Sequence, residues 1–148
     1  MLDAFLRKLT NKKPESRGDD PLQIAFAALL VEAARADEDY AAAEIDIIDR
    51  ALAKKFALDA DAAAALRAKA EAVQRDATDL QRFTRVAKEM SGDDKLALIE
   101  ELWLIVLSDG ERDPFEDTLI RRICGLIYVD DQDSGAARAR AAARLKGN

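Results

Sequence analysis

The sequence predicts an all-α fold, a compact bundle of about seven helices built from two pseudo-symmetric αα-hairpins with linking helices. Apolar residues recur at helical spacing from residue 21 onward, and no segment shows the two-residue alternation of a strand. The 148 residues include only three Pro and six Gly, so long alanine-rich stretches remain that favour helix. A third observation is internal: the chain resembles itself after a shift of 72 positions.

The shift of 72 positions superimposes two acidic turns, each between two apolar helical runs. Asp37 aligns with Asp109 and Glu44 aligns with Glu116, and apolar positions on both sides of the turns stay apolar. Such a repeat predicts two copies of one αα-hairpin. The first copy departs from the second because Glu38 stands in place of the glycine. Further along, Phe56 aligns with Tyr128 and Asp59 with Asp131.

The first half of the chain divides into three predicted helices. The first covers about 21–36 and carries an apolar stripe that includes Phe26. The second runs from about 42 to 57. Asp59 is placed to cap a third helix through about Val73, because an aspartate side chain can accept a hydrogen bond from a free amide of the first turn.

The second half continues with four predicted helices. Asp76 is expected to cap the fourth, and the residues 91–93 end it. The fifth, about 94–108, is apolar around most of its circumference, which places it at the centre with Trp103 as a core anchor. The sixth covers about 114–128. Asp131 is expected to cap the seventh, which is rich in Ala and Arg and ends near Leu145.

The domain division follows from composition. Residues 1–20 are predicted to form a short amphipathic helix and a flexible linker, and residues 21–146 to form one helical domain. The apolar positions of residues 1–9 have two interpretations: a terminal helix that docks or frays, or an anchor to a membrane surface or a partner.

The polar linker gives a first prediction. Residues 10–20 are polar, contain Pro14, stand directly before Pro21 and have no apolar stripe, so we expect limited trypsin digestion to cut there first. Intact-mass spectrometry of the early fragments checks the site of cleavage. Protection of Lys12 and Lys13 from trypsin would contradict the linker.

Composition narrows the classes of function. The net charge is −6, with basic residues near both ends and an acidic middle, which predicts basic partners or cations and no nucleic acid. The chain has no His and a single cysteine, Cys124, which we expect to pack in the core. No catalytic triad is present, so we predict a protein that is not an enzyme. No apolar run is long enough to span a bilayer, and the scarcity of cysteine fits a cytoplasmic protein.

The acidic turns are the candidate site. Carboxylate oxygens are preferred ligands of hard divalent cations, so the sequence predicts a site for Ca²⁺, Mg²⁺ or Mn²⁺, although the spacing is not that of an EF-hand. An alternative is that these carboxylates only cap the following helices. The candidate metal ligands are Asp37, Glu44, Asp109, Glu111, Asp113 and Glu116.

Two motifs contain these turns: Leu29-Leu30-Val31 leading to Asp37 and Glu44, and Leu102-Trp103-Leu104 leading to Asp109-Gly110 and to Glu116-Asp117-Thr118-Leu119-Ile120-Arg121-Arg122-Ile123. They resemble the motifs of the TerB-like family, named for bacterial tellurite-resistance proteins, and the chain resembles an uncharacterised branch of it. The resemblance spans about residues 22–145. It implies a compact all-helical cytoplasmic domain, a link to tellurite or chemical-stress resistance, and metal binding at the acidic turns.

Two hypotheses of function follow from the sequence. The first is a non-enzymatic TerB-like domain that binds a divalent cation or scaffolds a stress-response assembly. The alternative is a metal-free interaction module, which contacts protein partners or a membrane surface through its acidic body and residues 1–9. A cation that raises the melting temperature would separate them, because a ligand bound only by the folded state stabilises that state.

Overall fold

The computed structural model describes residues 20–36, 40–108 and 114–147, with the backbone alone for 114–116. Seven helices and no strand lie in this part of the chain, which confirms the all-α prediction. In chain order they are α1 (Pro21–Arg35), α2 (Ala42–Phe56), α3 (Ala60–Asp76), α4 (Gln81–Ala87), α5 (Gly92–Ser108), α6 (Pro114–Ile127) and α7 (Asp131–Gly147).

Two central helices, α1 and α5, pack against each other and carry most of the core. The prediction of a central α5 holds: five consecutive residues, 102–106, are buried along it. The sequence pattern indicated only one buried stripe on α1, yet all of residues 25–31 are buried. Three of these residues are alanines, whose small side chains allow neighbouring helices to approach from several sides.

The other helices surround this pair. Helix α1 packs against α3, α4 and α2, whereas α5 packs against α7, α2 and α6. Phe26 of α1 is fully buried, and its ring meets that of Phe56 edge to face, with 5.4 Å between centroids. Helix α4 lies against both α1 and α6, so it closes one side of the bundle.

The short helix α4 differs from the prediction. Asp76 is the last residue of α3 rather than a cap. The Oδ1 atom of Asp79 accepts from the amide of Gln81 at 2.9 Å at the start of α4 instead. Ser91 caps α5 in the same manner, since its Oγ accepts from the amide of Asp94 at 3.1 Å. Several aspartates in this region suit a cap, so the sequence alone did not decide which one is used.

Helices α2 and α6 end with the same backbone motif. Ala57 and Tyr128 each follow the last helical residue in the left-handed conformation, with φ of 54° and 66°. The next amide donates to the carbonyl five residues earlier, to Ala53 at 3.0 Å after α2 and to Cys124 at 2.9 Å after α6. This is the Schellman ending, which satisfies carbonyls that the helix leaves without partners.

The next helices also begin alike, with an aspartate cap. Asp59 accepts from the amide of Ala62, and Asp130 from the amide of Asp133, both at 2.8 Å. The expectation that Asp131 caps α7 is therefore wrong, because Asp131 is already inside the helix. Ala57 and Tyr128, like Asp59 and Asp130, are 71 positions apart rather than 72. The duplication of the whole hairpin remains a prediction.

Candidate functional site

Most of the predicted metal ligands lie outside the described residues. This holds for Asp37, Asp109, Glu111 and Asp113, and for the side chain of Glu116, whose backbone belongs to the first turn of α6. The same is true of residues 1–19, which include the predicted anchor and most of the linker. Glu44 is the one predicted ligand whose side chain the structure describes.

Glu44 is a buried carboxylate at the start of α2. Only 3% of the residue is exposed, which is uncommon for a glutamate without compensating polar contacts. Its Oε1 accepts from the backbone amide of Ala41 at 3.0 Å. Ala41 is the N-cap residue and has no side-chain oxygen of its own, so Glu44 supplies the side-chain half of a capping box. Glu44 therefore makes a contact of the kind that the capping interpretation expects.

The acidic residues of the described part of the chain do not gather elsewhere. No group of three or more His, Cys, Asp or Glu side chains there is placed to hold a metal ion. Cys124 is buried, as predicted, and its burial raises the pKa of the thiol. The acidic turns therefore stay the candidate metal site, with Glu44 as its described edge.

A polar network holds the chain where it leaves the first acidic turn. The hydroxyl of Tyr40 donates to Oε2 of Glu71 at 2.5 Å, and Arg67 of α3 donates to the same oxygen at 3.0 Å. Nε of Arg67 also donates to Oδ1 of Asp49 on α2 at 2.6 Å. Tyr40 follows residues 37–39 directly, so this network fixes one end of the turn to both α2 and α3.

Burial and hydrogen bonding in this network shift the pKa values of Glu71 and Tyr40. Burial opposes ionisation of Glu71, but the hydrogen bonds from Tyr40 and Arg67 outweigh it and lower the pKa of that carboxyl. Burial and the bond to Glu71 raise the pKa of Tyr40. The tyrosine therefore stays protonated and serves as a donor. The guanidinium of Arg35 covers the ring, 5.1 Å from its centroid, a favourable cation–π position.

A charged cleft of the described structure lies between α1, α2, α5 and α7. It has a volume of about 320 Å³ and is lined by Phe26 together with charged residues of three helices. Arg144 of α7 donates to both Glu100 and Glu101 of α5 at 3.0 Å. Lys55 of α2 pairs with Asp94 of α5. These pairs join α7 and α2 to the central helix.

The two glutamates of this cleft titrate in opposite directions. Burial raises the pKa of Glu101, and the attraction of Arg144 only partly offsets it. Burial also opposes ionisation of Glu100, but hydrogen bonds from Arg140 and Arg144 lower its pKa. Two neighbouring carboxyls with separated pKa values are common in catalytic sites, but structural ion-pair networks produce them as well. Here the arginines that surround them are bonded to the carboxylates themselves.

The comparison with known proteins decides the family. The family model described as "Tellurite resistance protein TerB" matches residues 23–139, which is most of the chain and nearly all of the helical bundle. The chain belongs to the TerB family. No curated protein and no solved structure matched it. The match covers both helical hairpins, so it places the two acidic turns within the TerB domain.

The polar network of this TerB domain was not predicted from its sequence. Arg67 and Glu71 are four residues apart on α3, a spacing that indicates a pair on one helical face. Nothing in the sequence links that pair to Tyr40 or Asp49, which lie 31 and 18 positions away from their partners. Such contacts depend on how the helices pack.

The described helices of the TerB domain also bear on membrane association. Within residues 20–36, 40–108 and 114–147, no helix combines the length and apolarity that a membrane span requires. The prediction of surface attachment through residues 1–9 falls outside the described residues and stays a prediction.

Proposed function

We propose that this TerB domain is a non-enzymatic domain that binds a divalent cation at its acidic helix–helix turns and acts in a tellurite or chemical-stress response. The observation that carries the proposal is the burial of Glu44 beside the first turn. Three more carboxylates, at residues 37–39, lie within seven positions of Glu44 in the chain. Carboxylates repel one another where they come close in space, and a divalent cation bound between them relieves that repulsion.

The second turn supports the same proposal through its sequence. Asp109, Glu111, Asp113 and Glu116 occur within eight residues, which run from the end of α5 into the first turn of α6. Capping accounts for the last two of these, but not for Asp109 and Glu111. A cation of the Ca²⁺, Mg²⁺ or Mn²⁺ type is the ligand that such an oxygen-rich set selects.

Calorimetry tests the metal site. We expect an isotherm with CaCl₂, MgCl₂ or MnCl₂ at neutral pH that disappears in Asp109→Asn with Glu116→Gln, and weakens in Asp37→Asn with Glu44→Gln. Asp46→Asn with Asp79→Asn is the matched control, because it also removes two negative charges but outside the turns. A cation at about 100 times its Kd should stabilise the wild-type fold by about 2.7 kcal/mol.

The capping alternative gives a different result. If the turns are only caps, none of the three cations releases or absorbs heat. The turn variants then lose about 1 kcal/mol of stability for each lost cap, whether or not metal is present. A flat wild-type isotherm with all three ions would exclude the metal site for those ions.

The stress role is tested separately in cells. We expect loss of the gene in its host to reduce growth on potassium tellurite or another chemical stressor. Wild-type protein should restore growth, and the Asp109→Asn and Glu116→Gln double variant should not. Restoration by the double variant would separate the stress role from the acidic turns.

A metal-free interaction module is the second candidate. The observation that favours it is Tyr128, a large side chain that is 75% exposed at the end of α6. Exposed aromatic residues are enriched where proteins bind one another. A melting temperature that does not change with any of the three cations would favour this candidate.

A further inference from the structure

We propose that the surface between α4 and α6 binds a short acidic peptide segment of a partner protein, with an apolar or aromatic side chain of that segment seated against Tyr128. This surface is called the basic groove. Its walls include Arg85 on α4 and Lys88 just after α4, with Gly125 on α6 and Tyr128 just after α6, and its volume is about 250 Å³. The proposal names a surface and a partner for the second candidate function, on which it rests.

Tyr128 is poorly explained by the stability of the fold. It follows the last residue of α6 with φ of 66°, a left-handed conformation that glycine adopts freely and a tyrosine adopts only with strain. Its side chain is exposed and gains little from burial. The described contact of its ring is with Lys88, whose Nζ lies 5.7 Å from the ring centroid.

Gly125 is also unexplained by the packing of the chain. It is exposed inside α6, where glycine weakens a helix relative to alanine. A Cβ atom built there would meet no other atom within 4 Å, so no neighbouring element requires the glycine. Glycine on a helix surface lets another backbone approach closely, and here the approaching group would have to come from outside the described chain.

Positions 125 and 128 therefore hold residues other than those that stability favours. A chain selected for stability alone would have alanine at 125 and glycine at 128. Both departures line the same groove, and local rules tend to be broken where a protein functions. A backbone that packs on Gly125 would bring a side chain beside the ring of Tyr128.

The charge of the groove identifies the partner. Arg85 and Lys88 make no ion pair within the described residues, and neither does Arg121, which is exposed one helical turn before Gly125 on the same face. The nearest acids along the chain, Glu89 and Asp130, do not line the groove. Unpaired arginine and lysine side chains beside an exposed aromatic ring select a carboxylate-bearing ligand with an apolar group.

The overall charge favours a peptide over a nucleic acid. The whole chain carries −6, which repels a long polyanion, whereas a short segment contacts only the local basic surface. A nucleic-acid-binding domain would present an extended basic face. The groove is short by comparison, because α4 has only seven residues.

Fluorescence anisotropy of a labelled peptide tests the proposal. The probe is a fluorescein-labelled peptide with a central phenylalanine flanked by glutamates. Comparison probes replace the glutamates with lysine, replace the phenylalanine with alanine, or use a single-stranded oligouridylate of equal length. We expect the acidic phenylalanine peptide to bind tightest, with an affinity that falls as salt is raised.

Charge reversal locates the site. Arg85→Glu with Lys88→Glu should weaken binding of the acidic probe at least tenfold. The matched control, Arg75→Glu with Lys146→Glu, makes the same change at exposed positions outside the groove and should leave most of the binding. Wild type and both double variants are titrated with the acidic probe at one salt concentration and one pH. Because the two double variants carry the same net charge, a difference in affinity between them reports the position of the changes and not net charge.

Two further variants separate binding from folding. Gly125→Ala and Tyr128→Gly should each raise the melting temperature, because each removes a local strain or entropy cost. Each should also weaken binding of the acidic probe several-fold. A purely structural role would instead give a lower melting temperature, and a stable variant that binds normally would show that the residue takes no part in docking.

The results that overturn the proposal are distinct from those of the metal test. Absence of binding by the acidic probe, equal loss in the control variant, or equal binding of the lysine probe would each refute it. Tighter binding of the oligouridylate would assign the groove to nucleic acid instead. A flat metal isotherm bears only on the acidic turns and leaves this proposal standing.

Discussion

Replacing Trp103 with alanine is expected to lower the free energy of unfolding by about 3–5 kcal/mol. Trp103 lies on the central helix α5 with only 8% of its surface exposed. Its Nε1 donates to Oγ of Ser134 on α7 at 3.0 Å, a fully buried hydrogen bond. The guanidinium of Arg138, also on α7, is 5.4 Å from the ring centroid. The substitution therefore creates a cavity and also removes one of the polar links between α5 and α7.

Urea denaturation followed by circular dichroism measures this effect, because the variant has no tryptophan to report fluorescence. Trp103→Phe is the matched control: it keeps most of the apolar volume and removes the hydrogen bond, so it should lose a smaller amount, about 1–3 kcal/mol. A loss below about 1 kcal/mol in Trp103→Ala would show that the side chain is not part of the core.

Replacing Arg67 with methionine is expected to lower the free energy of unfolding by about 2 kcal/mol. Removing one member of a buried ion pair typically costs about 3–5 kcal/mol, because the partner remains charged and buried. The Arg67 side chain is 19% exposed, and those of Asp49 and Glu71 are 27% and 18% exposed, so solvent reduces the effect. Urea denaturation at neutral pH measures the loss.

Arg50→Met is the matched control for the same chemistry on the surface. Arg50 pairs with Asp46 one helical turn away, at 3.0 Å, but the two side chains are 79% and 59% exposed. Exposed pairs of this kind contribute less than about 0.5 kcal/mol. Equal losses in the two variants would mean that the network around Tyr40 adds nothing beyond an ordinary surface pair.

The pH dependence of the free energy of unfolding gives an independent check on the ion pair between Arg67 and Glu71. The pKa of Glu71 is lower in the folded protein than its ordinary value of 4.5. The stability it contributes is thus present above pH 4.5 and is lost as the pH falls through the lower folded value. The difference between wild type and Arg67→Met should shrink when denaturation at neutral pH is compared with denaturation near pH 3. A constant difference would contradict the ionic contribution of Glu71.

Local signals predicted the helices well where they were unambiguous. The apolar periodicity placed α1, α2, α5 and α6 close to their observed bounds, because one buried face imposes its spacing on the sequence. Asp59 was identified as a cap because it directly precedes an alanine-rich helix. The caps of α4 and α7 were missed because each region offers several aspartates, and the one that is used depends on where the preceding helix ends.

The candidate site also contains some contacts that the sequence predicts and others that it does not. The bond from the amide of Ala41 to Glu44 has the three-residue spacing of a capping box, which a sequence displays directly, but the burial of Glu44 depends on how the helices pack. The sequence does not display the contacts of Tyr40, Arg67 and Asp49, because they join segments that are far apart in the chain. The basic groove was missed for a related reason: Arg85 and Tyr128 are 43 positions apart, and only the packing of α4 beside α6 brings their segments together.

The sequence by itself determined that this protein is all-helical, that α5 is central, and that two acidic turns separate apolar helices. Those properties depend on periodicity, composition and neighbouring residues, which are local. Only the tertiary structure decided that α1 shares the centre with α5, that Arg67 ties Tyr40 to α2 and α3, and that Gly125 and Tyr128 face one groove. These depend on the angles and distances at which helices pack, and many different pairings of side chains between helices are compatible with the same local pattern.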